Sequence, residues 1–260
     1  MSKKLSLLVL ILTMQTYCLA KEYVVYELIP LEYSQDYPGN YGYDLNNNGL
    51  VAGWANATHC ENGRFPALYD LDGYNIIDID DENGGMAWGI NDYNQAVGYV
   101  SDSLLCNHPD ANLIACIFYN DANGYIPLWD NGVAFAINNS GNITGFMKNA
   151  STGKNEPVFY GPETGFDAIL LGSLPGYIEG KGQSINEQNI IVANYYDSNY
   201  TSQAVIIRPY DFEIIKLYDL GGGESGAVRI NDNNQIIGYS CTENKKTHAV
   251  LYNTNNINYC

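Results

Sequence analysis

The chain has 260 residues, of which 46% are hydrophobic, and its 29 acidic and 12 basic residues give a formal net charge of −17 at pH 7. A charge this negative excludes functions that depend on attraction to nucleic acid or anionic lipid, because both carry phosphates of the same sign. The length and the apolar content suffice for one sizeable core, so the sequence predicts a single domain.

The first 20 residues have the pattern of a secretory signal. Lys3 and Lys4 precede an apolar run at residues 5–12, and Cys18-Leu19-Ala20 resembles a cleavage site. We therefore expect residues 1–20 to be removed and residues 21–260 to be secreted or periplasmic in a bacterium. The apolar run is too short to cross a bilayer, and no later run is longer, so we expect no membrane span.

A strand is predicted at residues 23–31, and a repeat follows it. Each copy contains a branched residue, an asparagine, a turn and a second β-prone segment. The five asparagines, called the anchors below, are Asn46, Asn91, Asn138, Asn186 and Asn231. Repeats of roughly 45 residues suit a four-stranded propeller blade.

Two positions beyond each anchor are restricted in size. Three residues after the anchor only Gly or Asn occurs, which predicts a turn residue with positive φ. Seven residues after it stand Gly53, Gly98, Gly145, Ala193 and Gly238, which predicts close approach of a second backbone. The anchors themselves are either turn residues that bond their own backbone or a ring of carboxamides that binds a ligand, and the turn chemistry favours the first interpretation.

Two further strands follow each of the first four hairpins, whereas the fifth unit ends after its third strand. The strand at residues 23–31 could complete that unit and close a ring. The sequence thus predicts an all-β, five-bladed propeller-like ring of four-stranded repeats, closed by the N-terminal strand, because closure protects sheet edges. An open stack of five units is the alternative, but it would need capping ends.

The position two residues before each anchor holds Asp44, Gly89, Ala136, Ser184 and Arg229. Closure would make the first and fifth units neighbours, so we expect a salt bridge between Asp44 and Arg229 at the seam. Two unrelated solvated charges are the alternative. A comparison of Arg229→Ala with Ser184→Ala tests the pairing.

Residues 217–223 read LYDLGGG, and the last hairpin is followed by Thr247-His248-Ala249-Val250-Leu251-Tyr252. These segments and the hairpins resemble the HAF family of extracellular repeats, which carries D-L-G-x-x-G-G, I-N-x-x-G-x-V-V-G-x-S and H-A-F-L-W patterns. The hairpin part recurs in all five units, whereas the histidine is present only in the fifth. The resemblance implies a secreted, propeller-like bacterial repeat protein, and it implies no activity and no functional residue.

Removal of Cys18 leaves an odd number of cysteines in an exported chain. We expect one disulfide between Cys106 and Cys116 and a second between Cys241 and Cys260. A bond between Cys60 and Cys241 is a rival, since sequence does not determine connectivity.

Metal sites are considered at two places. His59 and Cys60 could join Cys106 and His108 around zinc, but their spacing departs from standard sites. The acidic run at residues 78–84 lacks the glycine and the final acid of a calcium loop, so an acidic surface turn is favoured. We therefore assign no metal and no cofactor.

No nucleophile elbow, zinc-protease motif or phosphate loop occurs. A glycosidase needs two carboxylates at one pocket, and the column before the anchors supplies only Asp44. The aromatic residues Trp54, Tyr99, Phe146 and Tyr239 share one repeat position, which favours packing between units over a ligand platform. We predict a non-catalytic binding protein with a glycan or protein ligand; the alternatives are a carbohydrate-active enzyme and a structural envelope protein.

Overall fold

The computed structural model describes residues 39–56, 64–70, 76–78, 84–101, 112–119 and 124–254. These residues form strands and one short 3-10 helix, Pro162–Thr164. The strands make five antiparallel sheets, one for each repeat, in which each strand pairs with the next in the chain. The all-β prediction is therefore confirmed. Within the described ranges no helix is long and apolar enough to cross a membrane.

The sheets are numbered one to five in chain order. Sheet one contains β1 (Asn40–Leu45), β2 (Leu50–Asn56), β3 (Arg64–Asp70) and β4 (Ile76–Asp78). Sheet two contains β5 (Gly85–Ile90), β6 (Ala96–Ser101), β7 (Leu113–Phe118) and β8 (Tyr125–Asp130). Sheet three contains β9 (Gly132–Ile137), β10 (Ile143–Lys148), β11 (Asn155–Tyr160) and β12 (Ile169–Leu170). Sheet four contains β13 (Glu179–Ile185), β14 (Ile191–Tyr196), β15 (Ser202–Arg208) and β16 (Glu213–Lys216). Sheet five contains β17 (Gly221–Ile230), β18 (Gln235–Thr242) and β19 (Thr247–Asn253).

Each anchor asparagine begins the turn between the first two strands of its sheet. The predicted positive φ is confirmed three residues later, with φ between 58° and 85° in all five turns. Gly49 and Gly141 supply it in sheets one and three, and asparagine supplies it in the others. This choice follows from the αL conformation, which Gly and Asn tolerate best.

The predicted close approach of backbones is also confirmed. A Cβ added to Gly145 would lie 1.9 Å from the carbonyl oxygen of Val133 on the paired strand. Gly53, Gly98 and Gly238 are confined in the same way. The glycine column therefore lets the first two strands of a sheet pack closely.

The core lies between consecutive sheets. Val97 and Ile117 of sheet two pack in one buried cluster with Ala134 and Ile143 of sheet three. Val192 and Ile206 of sheet four pack in the same way with Ala227 and Ile230 of sheet five. Each of the first four sheets thus buries one face against the sheet that follows it in the chain.

Sheet five contains three strands in the described part of the chain. The fourth strand was predicted at residues 23–31, which lie outside the described residues. That prediction, like the closure of the ring, is not tested by the described residues.

Candidate functional site

The five hairpin turns surround one cavity of about 350 Å³, called the axial cavity below. Each repeat contributes the branched residue before its anchor, the anchor and the residue after it. The lining residues are Leu45, Asn46, Asn47, Ile90, Asn91, Asp92, Ile137, Asn138, Asn139, Ile185, Asn186, Glu187, Ile230, Asn231 and Asp232. The cavity therefore has five apolar side chains beside two polar layers.

The anchor asparagines cap their own turns, as predicted. Asn46 Oδ1 accepts hydrogen bonds from the backbone N–H groups of Asn48, at 3.1 Å, and Leu50, at 2.9 Å. The other anchors accept equivalent bonds from the residues two or four places later. The interpretation as turn residues is therefore confirmed.

The anchors also connect one sheet to the next, a role that the sequence analysis missed. Asn46 Nδ2 donates to the carbonyl oxygen of Asn91 at 3.0 Å, and Asn91 Nδ2 donates to that of Asn138 at 3.1 Å. In the same way, Asn138 Nδ2 donates to the carbonyl oxygen of Asn186 at 2.9 Å, and Asn186 Nδ2 donates to that of Asn231 at 3.2 Å. Because these amides are engaged within the protein, they do not form a ring of free ligand-binding groups.

A second layer of hydrogen bonds lies at the rim of the axial cavity. The N–H of Asn47 donates to Asp92 Oδ1 at 2.9 Å, and the N–H of Asn139 donates to Glu187 Oε1 at 2.7 Å. Asp232 accepts from the N–H of Glu187 at 2.9 Å. Hydrogen bonds from the backbone and side chain of Asn47, and from Asn139, lower the pKa of Asp92. These three carboxylates therefore hold neighbouring repeats together.

The residues that stand two places before the anchors lie on the inner strands and face the neighbouring sheet. Asp44 Oδ2 accepts from the N–H of Ile90 at 3.1 Å, and Ser184 Oγ accepts from the N–H of Ile230 at 3.4 Å. A Cβ on Gly89 would lie 2.7 Å from the carbonyl oxygen of Phe135, so the inner strands pass close together there. These residues therefore contribute to contacts between neighbouring inner strands.

Burial raises the pKa of Asp44, and the hydrogen bond from Ile90 and the positive charge of Arg229 oppose that rise. Arg229 Nη1 donates to the carbonyl oxygen of Val228 at 3.3 Å. The two charges thus interact, while each also bonds to backbone. A direct salt bridge between Asp44 and Arg229 remains a prediction.

Every inner strand contains a β-bulge at one repeat position, three residues before the anchor. The pairing with the second strand skips one residue there in each of the five sheets. The skipped residues are Tyr43, Trp88, Phe135, Gln183 and Val228. Because a bulge re-aims its side chain, these positions differ from the rest of the strand. The alternation expected of a strand gave no sign of them.

The bulge residues of sheets one to three form a continuous aromatic arc. The rings of Tyr43 and Trp88 stack with centroids 4.0 Å apart, and Phe135 meets Trp88 edge-on at 5.5 Å. The arc lies two residues before the branched residues of the axial cavity on the same strands, roughly 7 Å along them. It therefore adjoins that cavity.

The three tryptophans of the chain differ in their hydrogen bonding. Trp54 Nε1 donates to the hydroxyl of Tyr43 at 3.3 Å, and Trp129 Nε1 donates to the carbonyl oxygen of Phe146 at 3.0 Å. Trp88 Nε1 is buried and has no acceptor among the described residues. A buried N–H without a partner is costly, so this donor is the unpaired polar group of the arc.

The repeated aromatic position eight residues after the anchor serves packing, as predicted. Tyr99 is buried in a cluster with Met86 and Val133, and Trp54 and Phe146 pack against the same cluster. The ring of Trp54 also lies 5.0 Å from the guanidinium of Arg64. This column therefore belongs to the interface between sheets.

The predicted cysteine and metal sites fall mostly on residues outside the described ranges, including His59, Cys60, Cys106, His108 and Cys260. Cys116 is buried in sheet two. Cys241 is buried in sheet five, with its Sγ 3.6 Å from Glu224 Oε2 and 3.5 Å from Thr247 Oγ1. Both disulfides remain predictions. Among the described residues no group of three or more His, Cys, Asp or Glu could hold a metal ion.

Comparisons with known proteins support the fold class and leave the family open. No protein-family model matches the chain, and no curated protein matches it. Solved structures do match. The puromycin hydrolase S511A mutant complexed with PGG has a TM-score of 0.56 at 15% identity, over 80% of this chain and 34% of that one.

TolB from Acinetobacter baumannii matches with a TM-score of 0.53 at 11% identity, over 82% of this chain and 54% of that one. The fucose-recognising lectin of Aleuria aurantia, a six-bladed β-propeller, has a TM-score of 0.44 at 9% identity, over 82% of this chain and 73% of that one. The chain spans about a third of the hydrolase and about half of TolB. At these identities the likeness concerns the fold alone, which is all-β.

Proposed function

We propose that the chain is an exported, non-catalytic binding protein that holds a carbohydrate against the aromatic arc. The frame of this site is a five-bladed propeller-like ring, closed where residues 23–31 complete sheet five beside β19. The pattern of residues 1–20 supports export, and the HAF-like segments agree with a secreted repeat protein.

The exposed apolar side chains of the first and last sheets support closure. Ile237 and Leu251 of sheet five are 52% and 63% exposed, whereas the equivalent Val192 and Ile206 of sheet four are buried against the next sheet. On sheet one, Leu45 is 55% exposed although the equivalent isoleucines are buried. Docking sheet five onto sheet one would bury both surfaces, which favours the closed ring.

One observation carries the choice of ligand, namely the unpaired N–H of Trp88 within an aromatic surface. A sugar ring offers an apolar face that can pack on the half-buried rings of Tyr43, Trp88 and Phe135. A shift of these rings on binding would let a sugar hydroxyl accept from the buried Trp88 Nε1. Gln183 occupies the next bulge position and adds a carboxamide. Apolar walls with a few convergent polar groups are typical of sites that orient small ligands.

The alternative of a glycosidase has less support. That chemistry needs two carboxylates on either side of the scissile bond. Asp92, Glu187 and Asp232 accept hydrogen bonds that join neighbouring repeats, and Asp44 accepts the N–H of Ile90. Each of these acids has a structural role in the inner strands or their turns.

The test is binding of residues 21–260 to a broad glycan array, followed by calorimetry and by mass analysis of any bound glycan. We expect binding with the glycan left intact. Trp88→Phe should weaken it about two- to ten-fold, the worth of one hydrogen bond. Trp129→Phe is the matched control, since Trp129 Nε1 in sheet two already donates to the carbonyl oxygen of Phe146 in sheet three.

Cleavage of the glycan would establish the enzyme alternative instead. Absence of binding across the array would refute the carbohydrate proposal and favour a protein partner or a structural role. Equal losses in the two tryptophan variants would move the binding site away from the arc.

A further inference from the structure

A second cavity, of about 440 Å³, lies between sheets two and three on the side of the hairpin turns; we call it the lateral groove. Its floor is aliphatic and its walls carry three aromatic rings. The lining residues are Gln95, Ile117, Tyr119, Ile126, Leu128, Ile137, Asn139, Ser140, Gly141, Ile143, Tyr160, Pro162 and Phe166. None of the arc residues lines it, so it is a separate site.

The next groove along, between sheets three and four, is occupied by the chain itself. The ring of Tyr210 from sheet four meets Phe159 of sheet three edge-on, with centroids 5.9 Å apart. Its hydroxyl accepts a hydrogen bond from Asn189 Nδ2 at 2.7 Å. Tyr210 is 56% exposed, so its phenol lies along this groove, with one ring edge against Phe159 and its oxygen at the hairpin turn.

The strand register explains why the lateral groove is not filled in the same way. Counted forward from the strand before the turn, Glu163 is the repeat equivalent of Tyr210, because Tyr160 pairs with Ile143 as Ile207 pairs with Ile191. Counted back from the strand after the turn, the equivalent is Thr164, because Ile169 pairs with Phe159 as Ile215 pairs with Ile206. Glu163 is exposed in the short 3-10 helix. Either way the turn of sheet three lacks the tyrosine that sheet four has at Tyr210.

The wall of the lateral groove includes a residue in an unusual conformation. Phe166 has φ 66° and is 62% exposed. Its N–H donates to the carbonyl oxygen of Gly161 at 2.9 Å, and its ring lies 6.1 Å from that of Tyr160. The turn therefore presents a phenyl ring to solvent at the edge of the groove.

Polar groups in the lateral groove can meet a hydroxyl. Burial raises the pKa of Tyr160, and the neighbouring Tyr119 and Asp167 raise it further. The Tyr160 phenol therefore keeps its proton and can donate, while Ser140 and Gln95 lie near the hairpin turn that borders the groove. This combination matches a ring that carries one polar oxygen.

We propose that the lateral groove binds a hydroxylated aromatic ring, a phenol, in the way that the neighbouring groove holds Tyr210. The ring would pack on Tyr160 and Phe166, with its hydroxyl toward the hairpin turn of sheet three. This site is independent of the carbohydrate proposal for the arc.

The test is isothermal titration of the full chain with p-cresol, with toluene as the ligand that lacks the hydroxyl. We expect p-cresol to bind and toluene to bind at least about three-fold more weakly, as expected for one lost hydrogen bond. Phe166→Ala should weaken p-cresol binding by a similar factor. Phe212→Ala is the matched control, because Phe212 is an exposed turn residue with φ 52° that does not line the groove.

A filling variant tests the same idea from the opposite direction. Glu163→Tyr should abolish p-cresol binding, with thermal denaturation used to verify that the protein is folded. Three results would overturn the proposal: no p-cresol binding by the parent, equal effects of Phe166→Ala and Phe212→Ala, or full binding by folded Glu163→Tyr. The glycan array reports on the arc, so a failure of either proposal is distinguishable from a failure of the other.

Discussion

Asn138 donates from Nδ2 to the carbonyl oxygen of Asn186 at 2.9 Å, across two sheets and 48 residues of chain. The same amide donates to Asn189 Oδ1, and its Oδ1 accepts from the N–H of Asn142. Asn138→Ala would remove the acceptor of the buried N–H of Asn142. It would also remove one of the two donors to the carbonyl oxygen of Asn186 and to Asn189 Oδ1, which keep their bonds from Asn189 and Asn142. We expect a loss of about 3 kcal/mol in the free energy of unfolding, measured by urea denaturation.

Asn231 is the matched control for Asn138. It is exposed, and its side chain bonds only within its own turn, to Asn233 and Gln235. Asn231→Ala should therefore cost only about 1 kcal/mol. Equal losses in the two variants would contradict a stabilising connection between sheets.

A stabilising substitution is expected at Gly141. Asn46, Asn138 and Asn186 each donate to an asparagine side chain in the following turn, whereas Asn91 faces Gly141 and bonds Gln95 instead. Gly141 has φ 80°, and an added Cβ would meet only Pro162, at 3.9 Å. Gly141→Asn should raise the free energy of unfolding by about 1 kcal/mol, the worth of one hydrogen bond.

Gly153→Asn serves as the control for that substitution. Gly153 has φ 69° and open space around it, and no anchor amide faces it. The control should leave the denaturation midpoint nearly unchanged. A gain of the same size in both variants would attribute the effect to the unfolded chain and not to the new acceptor.

The glycine seven residues after the anchor should not tolerate a side chain. A Cβ at Gly98 would lie 1.9 Å from the carbonyl oxygen of Met86, so Gly98→Ala must push two paired strands apart. We expect a loss of about 1–3 kcal/mol, measured by urea denaturation. Sheet four carries Ala193 at this position, and Ala193→Gly should cost only about 0.5–1 kcal/mol. A fully stable Gly98→Ala protein would mean that these strands separate at no cost.

Two aspartates are expected to affect stability with opposite pH dependence. The folded-state pKa of Asp44 is raised, chiefly by burial, so its contribution is favourable below the unfolded pKa and is lost as pH rises. Asp44→Asn keeps an acceptor for the N–H of Ile90 without the charge. It should therefore be more stable than the parent at pH 7, and the difference should disappear near pH 3.

Asp92 should behave in the opposite way. Its pKa is lowered by hydrogen bonds, so its contribution is present above the unfolded pKa and is lost as pH falls. Asp92→Asn should be less stable than the parent at pH 7 and equal to it in acid. Urea denaturation at several pH values measures both variants.

If Asp44→Asn were less stable than the parent at pH 7, the attraction between Asp44 and Arg229 would outweigh the cost of burying the Asp44 carboxylate.

Much of the fold could be predicted because it depends on local chemistry. The turn after each anchor needs a capping oxygen and a residue that tolerates positive φ, and both are visible within one repeat. The glycine that follows marks a contact between adjacent strands. These signals recur five times, which made the number and boundaries of the hairpins predictable.

The candidate sites could not be predicted because they depend on contacts between repeats. The donation from Asn138 to Asn186 joins residues that are far apart in sequence. The bulge at Trp88 breaks the alternation by which inward and outward residues are recognised in a strand. The lateral groove depends on the turn at Glu163, which lacks the tyrosine that sheet four has at Tyr210. This difference becomes visible only when the paired strands of the two repeats are aligned.

The amides of the first four anchors all donate in one direction, from each repeat to the one that follows. The series of sheets therefore has a direction, and each of the four described junctions uses the same bond from an amide to a carbonyl oxygen. A chain that gained or lost one whole repeat would keep each remaining junction intact. The number of sheets could thus change by whole units in evolution, while the bulge residues could vary without disturbing the connections that hold the repeats together.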